Sequence, residues 1–112
     1  MKKVYICAPL EGNVLQNLQN AKRYANYALQ CGTAPVVPHF YALCREEEPL
    51  PDRELDKEAR RALLWFCDEI WVFGDEMTDE MRYEIMFCKS LGIRVQNIRE
   101  NDINKLSGGK RL

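Results

Sequence analysis

Residues 67–74 read Cys67-Asp68-Glu69-Ile70-Trp71-Val72-Phe73-Gly74, and a little further on residues 78–84 read Thr78-Asp79-Glu80-Met81-Arg82-Tyr83-Glu84. The run from Glu69 to Phe73 is the strongest strand signal in the chain, dense in β-branched and aromatic residues and ended by Gly74-Asp75. Thr78 followed by two acids is the pattern of a helix N-cap with an acidic first turn, and Gly92 closes the helix. A strand running into a helix of this length is half of a parallel βαβ unit, so the fold turns on whether the alternation continues on either side.

It does continue. Upstream, Val4-Tyr5-Ile6-Cys7-Ala8 is a short apolar run stopped by Pro9, with Gly12 and Asn13 behind it, and reads as a buried strand and a turn. Val14, Leu18, Ala21, Ala25 and Ala28 then recur at helical spacing until Gly32. Ala34-Pro35-Val36-Val37 is a second strand whose proline suits a strand start or a sheet edge, and His39-Phe40-Tyr41 opens a long polar connection. Residues 45–51, with three consecutive Glu and two Pro, read as a solvated loop, and Asp52 as the cap of a helix whose apolar stripe is Leu55, Ala59, Ala62, Leu63 and Phe66. Residues 93–98 supply a fourth strand. The expectation is an α/β domain over residues 1–100: a small doubly wound, flavodoxin- or Rossmann-like, mainly parallel sheet of about four strands flanked by three helices. Residues 101–112 carry no packing pattern and read as a C-terminal tail.

Composition narrows the function. One domain is expected of 112 residues, and 46% hydrophobic residues suffice for a core. Sixteen basic against seventeen acidic residues exclude a basic nucleic-acid clamp. The longest apolar runs fall far short of the roughly 20 residues of a membrane span, and the start does not resemble a signal peptide, so no membrane partner and a cytoplasmic location are expected. Cys7, Cys31, Cys44, Cys67 and Cys88 are odd in number, without a C-x-x-C pair, and a single His accompanies them; neither a zinc site nor a disulfide framework is expected. Cys7, Cys67 and Cys88 lie in or beside apolar runs and read as small hydrophobes. Without G-x-G-x-x-G or a Walker lysine, no dinucleotide, P-loop, metal or other cofactor is expected. The absence of an acidic pair after the first strand excludes a receiver domain.

In a doubly wound sheet, ligands bind beyond the carboxyl ends of the strands, which directs attention to residues 8–13, 38–43 and 74–78. One side chain nearby is out of place. With Met81 as origin and about 100° per residue, Cys88 falls near −20°, Ile85 near +40°, Leu91 near −80° and Glu84 near −60°, inside the apolar arc. Arg82 and Lys89 lie near +100° and +80° and cannot pair with it. A carboxylate against an apolar wall is costly unless paired or functional. Either Glu84 works in the cleft, or it bends out at the rim or accepts hydrogen bonds from a loop or a neighbouring subunit. His39, just past the second strand, reads as a general acid or as a hydrogen-bonded rim residue. Trp65, Phe66, Trp71 and Phe73 read as core or subunit interface.

Tyr5-Ile6-Cys7-Ala8-Pro9 and the stretch from Thr78 to Glu84, ending in Leu91-Gly92-Ile93, resemble the two signature segments of the nucleoside 2-deoxyribosyltransferase-like superfamily. Pro38-His39, Asp52-Arg53-Glu54-Leu55 and residues 67–74 resemble an often phage- or prophage-borne branch of it; the resemblance covers residues 2–96. It implies an N-glycosidase or glycosyltransferase acting on nucleosides or nucleoside 5'-monophosphates. Glu84 matches the nucleophile, which displaces the base and forms a covalent glycosyl-enzyme that water or a second base resolves. Tyr5 matches the tyrosine beside it, the alternative being a core aromatic satisfied elsewhere. Thr78 resembles the serine of the nucleoside 5'-monophosphate N-hydrolases more than the aspartate of the transferases, and suits a phosphate as well as an ordinary cap. Substrate contacts are expected from Pro9, Gly12, Asn13, His39, Asp75, Thr78 and Met81. The implied partners are a small nucleoside or nucleotide and, because relatives complete their sites with a neighbouring subunit, a second copy in a homodimer or larger homo-oligomer. Glu80 stands where many relatives have glycine, Glu11 where some have arginine and Asp56 where this branch often has glycine. These departures keep open a non-catalytic nucleotide-binding or regulatory protein that retains the cleft.

Overall fold

A computed structural model describes residues 1–45, 48 and 53–110. The chain runs β1 (Lys3–Cys7), α1 (Val14–Gln30), β2 (Ala34–Val36), α2 (His39–Cys44), α3 (Arg53–Phe66), β3 (Glu69–Val72), α4 (Asp79–Ser90), β4 (Arg94–Asn97) and α5 (Glu100–Lys110). The four strands form one wholly parallel sheet in the order β2-β1-β3-β4. Pro35, which has no amide hydrogen to give, sits on the edge strand β2 as its chemistry requires.

The register assigns the two faces. Tyr5 lies level with Val36 on one side and Ile70 on the other, and Ile70 with Val95, so these side chains share a face. They join Cys7, Val72, Leu64, Met81 and Cys88 in the core under α3 and α4. The alternate residues Val4, Ile6, Trp71 and Phe73 meet Tyr24, Ala28 and Ile103 on the opposite face, under α1 and α5. There Tyr24 stacks on Phe73 at 4.5 Å between ring centroids. Helices on both faces of a parallel sheet bury both faces, which explains the near-continuous apolar character of β1 and β3.

Five helices, rather than three, occur among the described residues. The chain after β2 turns at once into α2, and the expected patternless tail instead forms α5, whose Ile103 is buried in the core. The face of α3 also differs from expectation: Leu55, Ala62 and Phe66 are exposed, Trp65 is exposed as well, and Leu64 alone is fully inside. Its inward side carries Lys57, Arg60 and Leu64, one turn apart, because acidic side chains on α4 draw the basic residues in. Trp71 and Phe73 are core as expected. Of the loop expected over residues 45–51 only Arg45 and Glu48 are described, and the Asp52 cap lies outside the described residues.

If α5 is an integral part of the fold, Ile103→Ala will lower unfolding free energy by about 2 to 4 kcal/mol, the range for truncating a buried isoleucine. Denaturant unfolding measures it, and a loss below about 0.5 kcal/mol, typical of an exposed site, would detach α5 from the folded unit.

Candidate active site

Strand order reverses between β1 and β3: β1 connects leftward to β2, and the chain then returns to the other side of β1 to make β3. Their following segments, residues 8–13 and 73–78, therefore part and leave a crevice at the carboxyl end of the sheet. A cleft of about 440 Å³ opens there, lined by Leu10, Glu11, Gly12, Arg53, Glu76, Thr78, Asp79 and Glu80. Gly12 has φ +98°, a conformation that costs residues with a Cβ, and it lets the backbone line this wall. Four carboxylates face one guanidinium across the mouth, and Glu11 and Arg53 approach to 3.9 Å.

One turn along α4 from Glu80, which lines this cleft, lies Glu84, only 2% exposed. The helix brings it against the face of β1 on which Tyr5 and Cys7 project. The Tyr5 hydroxyl donates to Glu84 Oε2, and the Cys7 thiol lies 3.8 Å from Oε1. From α3, Arg60 reaches across with Nε 3.3 Å from Glu84 Oε2 and Nη2 3.1 Å from Glu80 Oε2. Lys57 stands 3.9 Å from the other Glu80 oxygen. Glu80, which stands where many relatives have glycine, is thus an ion-pair partner on the cleft wall.

Burial pushes the Glu84 carboxyl up to about 7; the Tyr5 hydroxyl, Arg60 and the Cys7 thiol pull it back, while the like charge of Glu80 adds to the rise. Tyr5 and Cys7 are themselves held well above their ordinary values, first by burial and then by the Glu84 charge, so both remain protonated donors. The site is one carboxylate poised between its charged and neutral forms, with a phenol and a guanidinium positioned to favour the charged form.

The remaining expected residues divide. Thr78 lines the cleft and caps α4, its hydroxyl accepting from the Met81 amide at 3.2 Å. Met81 itself is buried in the core beneath, away from the cleft. Asn13 caps α1 by accepting from the Gln16 amide at 3.0 Å. His39 is 2% exposed and donates from Nε2 to the Pro9 carbonyl at 3.0 Å, leaving Nδ1 without a hydrogen-bond partner among the described residues. Burial holds its pKa below the ordinary value, against the pull of the Pro9 and Ala8 carbonyls. The Nε2 proton of His39 is committed to the Pro9 carbonyl, so His39 ties α2 to the first loop. Asp75 belongs to a different cleft of about 370 Å³, lined also by Tyr24, Gly74, Asn97, Arg99 and Glu100. Asp56, the third departure, pairs with Arg45 at 3.6 Å. Among the described residues no cluster of metal-ligating side chains forms.

Arg60 and Lys57 are the functional candidates that sequence reading passed over. A signal existed: Glu80 and Glu84 are four residues apart on one helix, Lys57, Arg60 and Arg61 fall within one turn of another, and a buried carboxylate requires a cation.

A carboxyl group whose folded pKa lies above its unfolded value binds protons more tightly when folded. Its contribution to stability is full below the unfolded value near 4.5 and is lost as pH rises through about 7, by on the order of 3 kcal/mol in all. Glu84→Gln removes this dependence. The melting temperature of the variant relative to the native protein is expected to climb between pH 5 and pH 8; parallel melting curves across that range would mean that Glu84 is not desolvated.

A family model described as Domain of unknown function (DUF7768) matches residues 2–98. Three solved structures share the architecture. A 2-deoxyribosyltransferase from Bacillus psychrosaccharolyticus is 15% identical with a TM-score of 0.62, over 87% of this chain and 72% of that one. A conserved protein from Enterococcus faecalis V583 is 19% identical at 0.68, over 87% and 62%. A 2-desoxiribosyltransferase from Leishmania mexicana is 13% identical at 0.65, over 88% and 65%. The chain thus spans less than two thirds of the length of the latter two, and at these identities the likeness is one of fold. No curated protein matches.

Proposed function

This chain belongs to the DUF7768 family, and from that premise we propose that it is an N-glycosidase or glycosyltransferase acting on nucleosides or nucleoside 5'-monophosphates, with Glu84 as nucleophile. The observation that carries this reading is the buried Tyr5–Glu84 hydrogen bond beneath the crevice where β1 and β3 part. It gives a buried carboxylate a fixed donor one turn of α4 away from the cleft wall, in the part of the sheet where this fold class binds ligands. The 2-deoxyribosyltransferase fold of two structural neighbours supports the same substrate class.

In the proposed reaction a Glu84 oxygen attacks the anomeric carbon and the C–N bond breaks, its electron pair leaving on the base nitrogen, which takes up a proton. A glycosyl ester on Glu84 remains. Water, or a second base nitrogen, then attacks the same carbon and expels the carboxylate, giving free sugar or a new nucleoside. Tyr5 steadies the charge that leaves and returns to Glu84. Thr78 and the α4 amino terminus face the sugar or its phosphate, although the carboxylates of the mouth work against a dianion. The exposed Trp65, Phe66 and Met86 of α3 and α4 offer a surface for a second copy, and no described helix is long and apolar enough to cross a membrane. Assembly as a homo-oligomer, a cytoplasmic location and a phage-borne origin belong to this proposal.

One observation favours the second reading, a non-catalytic nucleotide-binding or regulatory protein: Glu84 is only 2% exposed, does not line the cleft and is held in an ion pair with Arg60. The readings separate on a panel of nucleosides and nucleotides with free base followed by chromatography. The enzyme releases base with a rate that rises through about pH 7 as Glu84 ionises, Glu84→Gln lowers it at least about a thousandfold, and Tyr5→Phe lowers it less. Ligand binding without base release would establish the second reading.

A further inference from the structure

Arg60 is the least accounted-for group in the site. It is a cation only 13% exposed, on a helix whose inward face the apolar pattern does not explain, and its two ends are divided between two carboxylates: Nε at 3.3 Å from Glu84 and Nη2 at 3.1 Å from Glu80. Glu80 lines the cleft and Glu84 does not. The guanidinium therefore bridges a carboxylate that lines the cleft and one that does not, it shares a small cavity between α3 and α4 with Glu84, and its Nε makes an ion pair without a well-formed hydrogen bond.

We propose that Arg60 is a positioning residue for Glu84, shared with Glu80, which keeps the buried carboxylate charged while it is covered and uncovers it when Glu80 draws the guanidinium to the cleft wall. The proposal rests on the reading of Glu84 as nucleophile and adds how that nucleophile is held and released. A carboxylate locked to a guanidinium is a weak nucleophile, and one with no cation nearby takes up a proton in this apolar setting. An arginine divided between two acceptors satisfies both demands, since its planar fork can pivot from one carboxylate to the other without leaving either far behind. Lys57, already on Glu80, fixes the outer anchor.

The charged and titratable groups around Glu84 are Tyr5 and Cys7 from β1, Arg60 from α3, and Glu80 and Cys88 from α4, with Lys57 and Arg61 of α3 and Tyr83 of α4 lining the same small cavity; His39 on α2 lies within reach of the Arg60 charge. Three of them are fixed in their neutral forms: burial raises Tyr5 and Cys7, and pushes Cys88 up to about 12. Among the charged neighbours, Arg60 and Glu80 are the ones that shift the ionisation of Glu84, and they act in opposite directions.

The test is the midpoint of Glu84 titration in the ligand-free protein. It is read from melting temperature against pH, with each variant compared to the same variant carrying Glu84→Gln. Arg60→Gln is expected to raise the midpoint by about 1 to 3 pH units. Glu80→Gln is expected to lower it, because the like charge is gone and the guanidinium falls wholly to Glu84. Arg60→Lys should return the midpoint part of the way, since an ammonium keeps the charge but cannot span both acceptors. An unmoved midpoint in Arg60→Gln, or movement in the same direction in Arg60→Gln and Glu80→Gln, overturns the assignment. If Arg60→Gln does not fold, the more accessible Glu80→Gln decides alone, and an unmoved or raised midpoint overturns it. In base release, Arg60→Gln should shift the pH profile upward by the same interval, while Glu80→Gln lowers kcat more than it changes KM. Absence of base release in the native protein would remove the glycosidase reading and leave the titration result, and the role of Arg60 in it, standing.

Discussion

Glu84 carries its carboxylate onto a sheet face that is otherwise apolar, and much of the surrounding structure follows from keeping that group in place. An unpaired charge there would cost several kcal/mol, and even a single lost partner leaves a penalty of that order. The donors come from two directions. Tyr5 is aimed at Glu84 by the pleat of β1, which sends Tyr5 and Cys7 to this face and Val4 and Ile6 to the other. Arg60 comes from α3, which presents Arg60 and, one turn later, Leu64 to the same region. The helix thus seals the core with one residue and answers the carboxylate with the other.

A second buried carboxylate shows what a purely structural solution looks like in the same molecule. Glu69, near the amino end of β3, receives the Trp71 indole at 3.0 Å, the Gln96 amide at 2.7 Å and the Lys2 ammonium at 2.5 Å. Although burial works against its charge, these donors hold its pKa below the usual range. Glu84 has fewer strong donors, must share Arg60 with Glu80, and is pushed up to about 7. Both groups are buried acids; only the one beside the crevice is left close to neutrality. A group poised in this way is what general acid–base and nucleophilic chemistry employs, and it is expensive as mere architecture.

The two clefts at the carboxyl end of the sheet lie on either side of the segment after β3. Gly74, with φ +86°, turns that segment, and the Tyr24 hydroxyl would sit 3.5 Å from any Cβ placed there. Thr78 and Glu80 then fall to the cleft above Glu84, and Asp75 to the cleft beside Asn97 and Arg99. Residues only a few positions apart in the chain consequently serve separate surfaces. The acidic mouth of the first cleft also places an electrostatic condition on any ligand, since four carboxylates, Glu11, Glu76, Asp79 and Glu80, line it beside one guanidinium, that of Arg53, among the described residues.

The sequence by itself determined the four strands, their alternation with α1, α3 and α4, the Thr78 cap and the inward direction of Glu84. These are written in local periodicity and in the spacing of a few side chains along one element. Only the tertiary structure decided the rest. Among the described side chains of α5 only Ile103 is buried, too few for a period to show, and α2 is too short for one to develop. Of the apolar stripe read along α3, Leu63 packs against the core while Leu55, Ala62 and Phe66 are exposed, and Lys57 and Arg60 are turned inward to carboxylates on another helix. The separation of Asp75 from Thr78, the retreat of Met81 into the core and the tie between His39 and Pro9 likewise depend on how distant segments meet. Arg60 makes the reason plainest: nothing within its own helix distinguishes it from Arg61, and only the arrival of Glu84, twenty-four positions later in the sequence, makes one arginine an internal counter-ion while its neighbour meets the Tyr83 hydroxyl at the surface.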